Sequence, residues 1–469
     1  MPPDANLQLS SDDMRSLGYR VVDMLVSHFE TLPGKPVSHV ATRPAMEALF
    51  REPPPEEGRS WEDVLLRVQN EVFSHMMHVD HPRFLAFVSS PNNFVGAMAD
   101  ALTAGMNPFA GTWMEASGPT QIELVTIDWL RELCGLPDTA GGLFVSGGSL
   151  ANITGLAVAR HIRLGDGFNK ATVYLSDQTH SSVARGLRVL GFTPSQIVVI
   201  PSDEAYRLPV DQLIHRIALD RAAGYIPFCV IANAGTTNTG AIDPLEQLSD
   251  LCNRENLWLH ADGAFGAAAV FCKRGKELLN GLRCVDSMSL DPHKWLFQPY
   301  ECGVILVRQK HHMRETFHVV PEYLQDLESD TEEANLYGYG IQLTRSFRAL
   351  KLWMSLQVFG MAVFRQAVSR GFELAEFAEH TLRERPNWEI ITPAQMGVIT
   401  FRYVPNHTDN IDDHNRRLVE PMIGDGFALV MSTTIKGQTV LRFCTINPRT
   451  REDDISRTID KLTFYAEKV

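Results

Sequence analysis

Between Gly141 and Val307 the chain repeats one pattern: a short apolar run, a polar stretch with helical spacing, then another apolar run. The runs cover residues 143–145, 172–175, 197–200, 228–232, 257–261, 287–290 and 303–307. Several of the stretches between them, such as 210–223 and 245–253, place apolar residues at three- and four-residue steps, as an amphipathic helix does. A strand that is apolar on both faces must be covered on both faces. Helices placed between successive strands do this when the strands run mostly parallel. The pattern therefore predicts an α/β domain on a mostly parallel seven-stranded sheet.

The flanks have a different texture. From Ser11, the residues Met14, Leu17, Val21, Leu25, Phe29 and Leu32 form a helical stripe, with Asp12 and Asp13 suited to its N-terminus and Pro33-Gly34 to its end. Such a stripe needs cover, either from the body of this subunit or from a second one. Pro53-Pro54-Pro55 reads as an extended connector. After Leu343 come a long helical stretch (344–384), strand candidates at 397–403, 428–433 and 440–444, and a closing helix at 451–467. This predicts a smaller C-terminal α+β domain. The expected division is an N-terminal helical segment (1–75), a large domain (76–343) and a small domain (344–469).

A formal net charge of −13 disfavours nucleic acid or an anionic membrane as partner. No apolar stretch approaches the roughly 18 residues that span a bilayer. The start, residues 1–10, lacks a basic region followed by an apolar run. The seven cysteines are scattered, with neither CxxC nor zinc-type spacing. Reduced thiols in a cytoplasmic protein without a metal site are the expectation.

Four segments carry chemistry, and each falls at the end of a predicted strand. Phe144 through Asn152 reads strand, Gly-rich turn (Ser146-Gly147-Gly148-Ser149), helix. The amides and positive end of such a helix cradle anions. Its pattern is neither GxGxxG nor GxxxxGK[ST]. Ser176 through Ser182 brings His180 to a helix start, where an imidazole can stack on a flat ring or handle a proton. Trp258 through Gly266 ends a strand on Asp262, and the small residues that follow, Ala264 among them, would let backbone approach a ring. Ser289 through Phe297 sets Lys294, one of only ten lysines, beside Trp295 and Leu296. Burial there would lower the amine's pKa and free it as a nucleophile. Singly, each segment has a structural reading: a tight turn, a capping histidine, a turn-capping aspartate, a snorkelling lysine. Jointly they match one cofactor. Pyridoxal 5′-phosphate (PLP) uses an anion cradle, a ring-stacking group, an acid for its pyridine nitrogen and a lysine.

These segments, with His81-Pro82-Arg83-Phe84, Glu123, Asp128-Trp129-Leu130, Ala234-Gly235-Thr236-Thr237 and Arg345 through Lys351, resemble in their order the group II PLP-dependent amino-acid decarboxylases, typified by aromatic-L-amino-acid decarboxylase. The resemblance implies a type I PLP (aspartate aminotransferase-like) fold and a homodimer joined through its N-terminal helices. It implies that Lys294 binds the cofactor as an internal aldimine, that His180 stacks on the ring, and that Asp262 pairs with the pyridine nitrogen. Thr237 would lie beneath the ring, and His293 would hold the phosphate with Gly148 and Ser149. Ser90 would lie near the substrate carboxylate, and Phe84, Phe87, Phe109 and Trp113 would be pocket walls. The implied reaction converts an L-amino acid, aromatic by family habit, to its amine and CO2 through a quinonoid.

The chain departs from the family pattern at three places. Asp291 stands where aromatic-specific relatives often have Asn near the phosphate. The family's catalytic loop tyrosine aligns with Leu336; Tyr337 is the nearest phenol, with Tyr339 the alternative, and the acidic stretch 325–338 reads as the loop. The segment Phe87-Val88-Ser89-Ser90 is less aromatic than in aromatic-specific relatives. Loss of the loop phenol would favour the alternative activity of this scaffold, an aromatic aldehyde synthase that couples decarboxylation to oxidative deamination.

Overall fold

The computed structural model describes residues 7–319, 333–405 and 410–468. Seven strands form the large sheet: β1 (Gly141–Val145), β2 (Ala171–Ser176), β3 (Ile197–Ile200), β4 (Ile226–Asn233), β5 (Trp258–Asp262), β6 (Ser287–Leu290) and β7 (Gly303–Val307). Their order is β1-β7-β6-β5-β4-β2-β3. Only β7 runs against its neighbours, β1 and β6; the other pairings are parallel.

The two faces of the sheet feed two separate cores, because side chains alternate along each strand. Leu143, Val145, Val173, Leu175 and Ile231 point to one core, which the helix Gly148–Leu164 covers with Ala151, Leu156 and Val158. Phe144, Tyr174, Val230 and Leu259 point to the other. There the helical stretch Ala349–Arg383 packs Leu352, Phe364, Val368 and Phe372. β2, β5, β6 and β7 are buried throughout, as strands covered on both faces of a sheet must be.

A second, antiparallel sheet has the order β10-β11-β9-β8, with β8 (Trp388–Gln395), β9 (Val398–Tyr403), β10 (Met431–Ile435) and β11 (Gln438–Cys444). The closing helix Glu452–Ala466 packs Ile455, Ile459 and Leu462 against it.

The structure departs from the sequence reading in three elements. β8 was not foreseen: it carries Pro393 and polar residues, which an edge strand tolerates, and β8 is the sheet's edge. The strand expected from 428 begins at Met431, because Leu429 exchanges backbone hydrogen bonds with the Arg83–Leu85 segment. The helix expected from 344 begins at Ala349 and breaks at Gly360, which takes φ 75°, a left-handed value suited to glycine.

The N-terminal helix is Ser11–Thr31, capped by Ser10, whose Oγ accepts from the Asp13 amide at 3.1 Å. None of its 21 residues is buried within this chain.

Candidate active site

The ends of β1, β2, β4, β5 and β6 open into a cavity of about 520 Å³. Ligands of open α/β sheets bind at these carboxyl ends. Lys294, Asp262, His180, Thr237, His293, Gly148, Ser149, Ala264 and Phe87 all line it. Nine of the residues read from the sequence, lying up to 207 positions apart, thus meet in one place.

The anion cradle forms where β1 hands over to the helix Gly148–Leu164. No side chain among the described residues caps this helix, which leaves its first amides open to a ligand, and its first residues, Gly148 and Ser149, line the cavity. Close packing requires the glycines. A Cβ on Gly147 would come 2.9 Å from His293 Cε1, and one on Gly148 would come 2.7 Å from Ala264 Cβ. A buried ion pair holds β1 in place for this turn. Glu123 Oε1 accepts from the Phe144 amide (2.9 Å) and from Arg345 Nη2 (2.5 Å), and Arg345 also donates to the Phe144 and Ala110 carbonyls.

Asp262 ends β5, is buried, and accepts three hydrogen bonds: from Asn152 Nδ2 (3.1 Å), Ser289 Oγ (3.2 Å) and the Ala264 amide (3.2 Å). Behind it, Asn152 Oδ1 accepts from His260 Nε2 at 3.0 Å, and His260 Nδ1 pairs with Ser287 Oγ at 2.7 Å. Burial pushes His260 down to about 4, so this imidazole is neutral near pH 7 and serves as a fixed donor. The sequence reading missed Asn152 and His260 in these roles. A signal was present: His260 lies two residues before Asp262 on one strand, hence on the same face.

His180 takes the expected place at the start of the helix Ser181–Val189. Its Nδ1 accepts from the Ser182 amide (3.3 Å) and pairs with Ser182 Oγ (2.8 Å). That assignment leaves the proton on Nε2, because Nδ1 is the acceptor. Desolvation lowers its pKa, partly opposed by Asp262.

Lys294 Nζ lies 3.1 Å from Asp291 Oδ2. Burial pushes the lysine's pKa down, but the Asp291 and Asp262 carboxylates outweigh it and hold it above the ordinary value. This corrects the expectation from burial alone: the amine waits as an ammonium. His293 Nδ1 accepts from the Cys302 amide (3.1 Å), and its Nε2 faces Asp291 Oδ2 at 3.5 Å. Burial lowers the pKa of His293. Ser90 donates its hydroxyl to the His293 carbonyl, bracing the Lys294 turn rather than lining the cavity.

Four more expected residues lie elsewhere in this chain. Phe84 is buried in a small core with Val37, Ala86 and Leu429, drawn there by the backbone pairing with residue 429. Trp113 opens the helix Trp113–Leu133, its amide donating to Asn335 Oδ1 at 3.0 Å, outside the cavity. Tyr337 is buried, with its amide donating to the Gly111 carbonyl and its ring stacked 6.5 Å from His318. Phe109 lines a neighbouring cavity with Tyr300 and Glu301. Of the expected loop 325–338, positions 325–332 lie outside the described residues. Phe87 stands at the cavity with φ 50° and is 53% exposed, its carbonyl bound by Arg442 Nη1. Glu301, which pairs with Arg348 at 2.9 Å, lines the cavity without having been foreseen.

Comparison with known proteins matches residues 44–404 to the model of the pyridoxal-dependent decarboxylase conserved domain. The chain is 48% identical over 468 residues to an aromatic-L-amino-acid decarboxylase of Bacillus atrophaeus, covering 99% of this chain and 98% of the relative. Among solved structures it resembles Oryza sativa TDC with PLP and tryptamine (TM-score 0.94, 27% identity, 99% of both chains). It also resembles Catharanthus roseus tryptophan decarboxylase in complex with L-tryptophan (TM-score 0.92, 26% identity, 98% of this chain and 99% of that one).

Proposed function

The chain belongs to the pyridoxal-dependent decarboxylase family, and from that premise we propose that it removes the carboxylate of an aromatic L-amino acid, releasing the amine and CO2. The observation that carries this reading is the meeting of Lys294, Asp262, His180 and an uncapped helix start around one cavity.

The residues fit the cofactor. The uncapped helix start, kept open by two glycines whose Cβ positions are already filled, suits a phosphate. Gly148 and Ser149 would hold it from the helix end, with His293 beside them. Asp262, fixed by three donors, would face a pyridine nitrogen. His180 would lie over the ring and Thr237 beneath it, and Lys294 would hold the cofactor covalently. When bound, PLP supplies an electron sink for the pair left at Cα as CO2 departs.

The chain's own groups do the rest. Asp262 presents two carboxylate oxygens held in place by neutral donors, Asn152, Ser289 and the Ala264 amide. His180 carries a proton on Nε2 and Lys294 carries one on Nζ, so both are in position to deliver a proton within the cavity. Phe87 and Val88 offer apolar surface at its wall for an aromatic side chain.

A second copy of the chain is the proposed cover for the N-terminal helix. Met14, Val21 and Val26 are 46%, 36% and 39% exposed, and Leu66, which shares a small cavity with Arg20, is also open. An apolar surface of this extent marks an interface. No helix among the described residues is long and apolar enough to cross a membrane, and a cytoplasmic dimer is our reading.

A substrate panel tests the proposal. PLP-loaded protein offered phenylalanine, tyrosine, DOPA, tryptophan and 5-hydroxytryptophan should form amines. Glutamate and histidine should react at least about a hundredfold more slowly, because an apolar wall cannot pair their polar ends. Faster turnover of either polar substrate would overturn the aromatic assignment.

A further inference from the structure

Asp291 is a carboxylate set against an anion cradle. It follows β6 and is 1% exposed. Its Oδ2 lies 3.1 Å from Lys294 Nζ and 3.5 Å from His293 Nε2. A Cβ built on Gly148 would meet the same oxygen at 2.8 Å, so Oδ2 sits against the first turn of the uncapped helix. Among the described residues its buried Oδ1 has no hydrogen-bond partner, and it lies 2.8 Å from the Cβ position of Gly303. A buried carboxylate with an unpaired oxygen is costly unless positive groups offset it. Here the offsetting groups are the helix end and the Lys294 ammonium, and the His293 ring turns its Nε2 toward the same carboxylate. The helix end and His293 are also the groups an incoming phosphate would use.

We infer that Asp291 is an internal counter-anion of the cradle: it holds Lys294 and His293 in the cofactor-free chain and competes with the cofactor's phosphate for the helix end and His293. The inference rests on the cofactor reading above and deepens it. A carboxylate and a phosphate sharing one set of partners repel each other strongly at such spacing. Affinity for a phosphorylated ligand is therefore set partly by this residue, whereas the rest of the cofactor, held by Asp262 and His180, does not meet it.

Two ligands separate these contributions. Pyridoxamine 5′-phosphate and pyridoxamine share the ring, and neither has an aldehyde to react with Lys294. Each would be titrated into the full chain freed of cofactor, as wild type and as Asp291→Asn. The substitution is expected to tighten the phosphorylated ligand by at least about tenfold and to leave pyridoxamine within about twofold. Asp291→Ser, which also removes the charge, should do the same and serves if the asparagine variant misfolds. An unchanged or reduced ratio of the two affinities, or equal tightening of both ligands, would show that Asp291 does not compete with phosphate. If the wild type bound neither ligand, the cofactor reading would fail and the inference with it.

Discussion

Asp262 accepts all three of its hydrogen bonds from neutral donors, so no cation among the described residues hydrogen-bonds its carboxylate charge. Asp262→Asn keeps the shape and removes that charge. It is expected to lower CO2 release by roughly 10²- to 10³-fold while leaving cofactor absorbance in the purified protein. Undiminished turnover would remove Asp262 from the mechanism. Asn152 acts one step back, and Asn152→Ala should cost roughly 10- to 100-fold, the usual effect of losing a supporting hydrogen bond. The same steady-state assay checks it.

Residue identity was legible at Lys294, Asp262 and His180 because each ends an apolar strand next to a turn. Asn152 and His260 were not singled out, because a polar residue inside a helix or strand gives no hint of its partner until the fold brings it close. Phe84 illustrates the opposite error. An aromatic beside a motif reads as a pocket wall, but its backbone pairs with Leu429 and turns the ring into a core.

His81 has a testable pH signature. It is fully buried, and desolvation first, then Arg83, push it down to about 4. Below its ordinary value of about 6.5 the unfolded chain takes up a proton that the folded chain refuses. Its contribution to stability is intact above pH 6.5 and is lost as pH falls toward 4, by about 3 kcal/mol in all. Urea unfolding midpoints should fall across that window, and His81→Asn should flatten the fall. A profile unaffected by the substitution would contradict this assignment.

At the scale of elements, the pair Glu123–Arg345 joins the helix Trp113–Leu133, the end of β1 and the segment before the helix Ala349–Arg383. Both side chains are essentially unexposed. Removing one partner strands a buried charge, so Arg345→Met is expected to cost about 3–5 kcal/mol, read by urea denaturation. Because the pair holds the strand that opens the anion cradle, cofactor affinity should drop with it. The seven strands of the large sheet were legible because continuous burial leaves continuous apolar runs. The edge strand β8 was not, since an edge tolerates a proline and polar residues that mask the signal. Nor was the break at Gly360, where a single residue's backbone geometry interrupts a pattern whose side chains still read as helix.

At the scale of the whole molecule, the exposed stripe on Ser11–Thr31 predicts association. Sedimentation should give a dimer. A charge placed mid-stripe, as in Val21→Asp, should shift it toward monomer, because an unpaired charge at the centre of an apolar contact is strongly unfavourable. A monomeric wild type would remove the dimer from the account. The division into a large and a small sheet follows from the change in sequence texture near 343, whereas the sequence left the stripe's cover open between this subunit and a second one; this chain buries Leu32 and half-buries Leu17, Leu25 and Phe29.

The central claim is that this chain decarboxylates, and that Lys294 is the residue that makes it able to. One assay tests it: CO2, ammonia and hydrogen peroxide followed together while PLP-loaded protein turns over an aromatic L-amino acid, with Lys294→Ala in parallel. The account predicts CO2 matched by amine, no ammonia or peroxide, and loss of at least about 10³-fold in the variant. Ammonia and peroxide equimolar with CO2 would instead make the chain an aldehyde synthase, and full activity in Lys294→Ala would contradict the site itself.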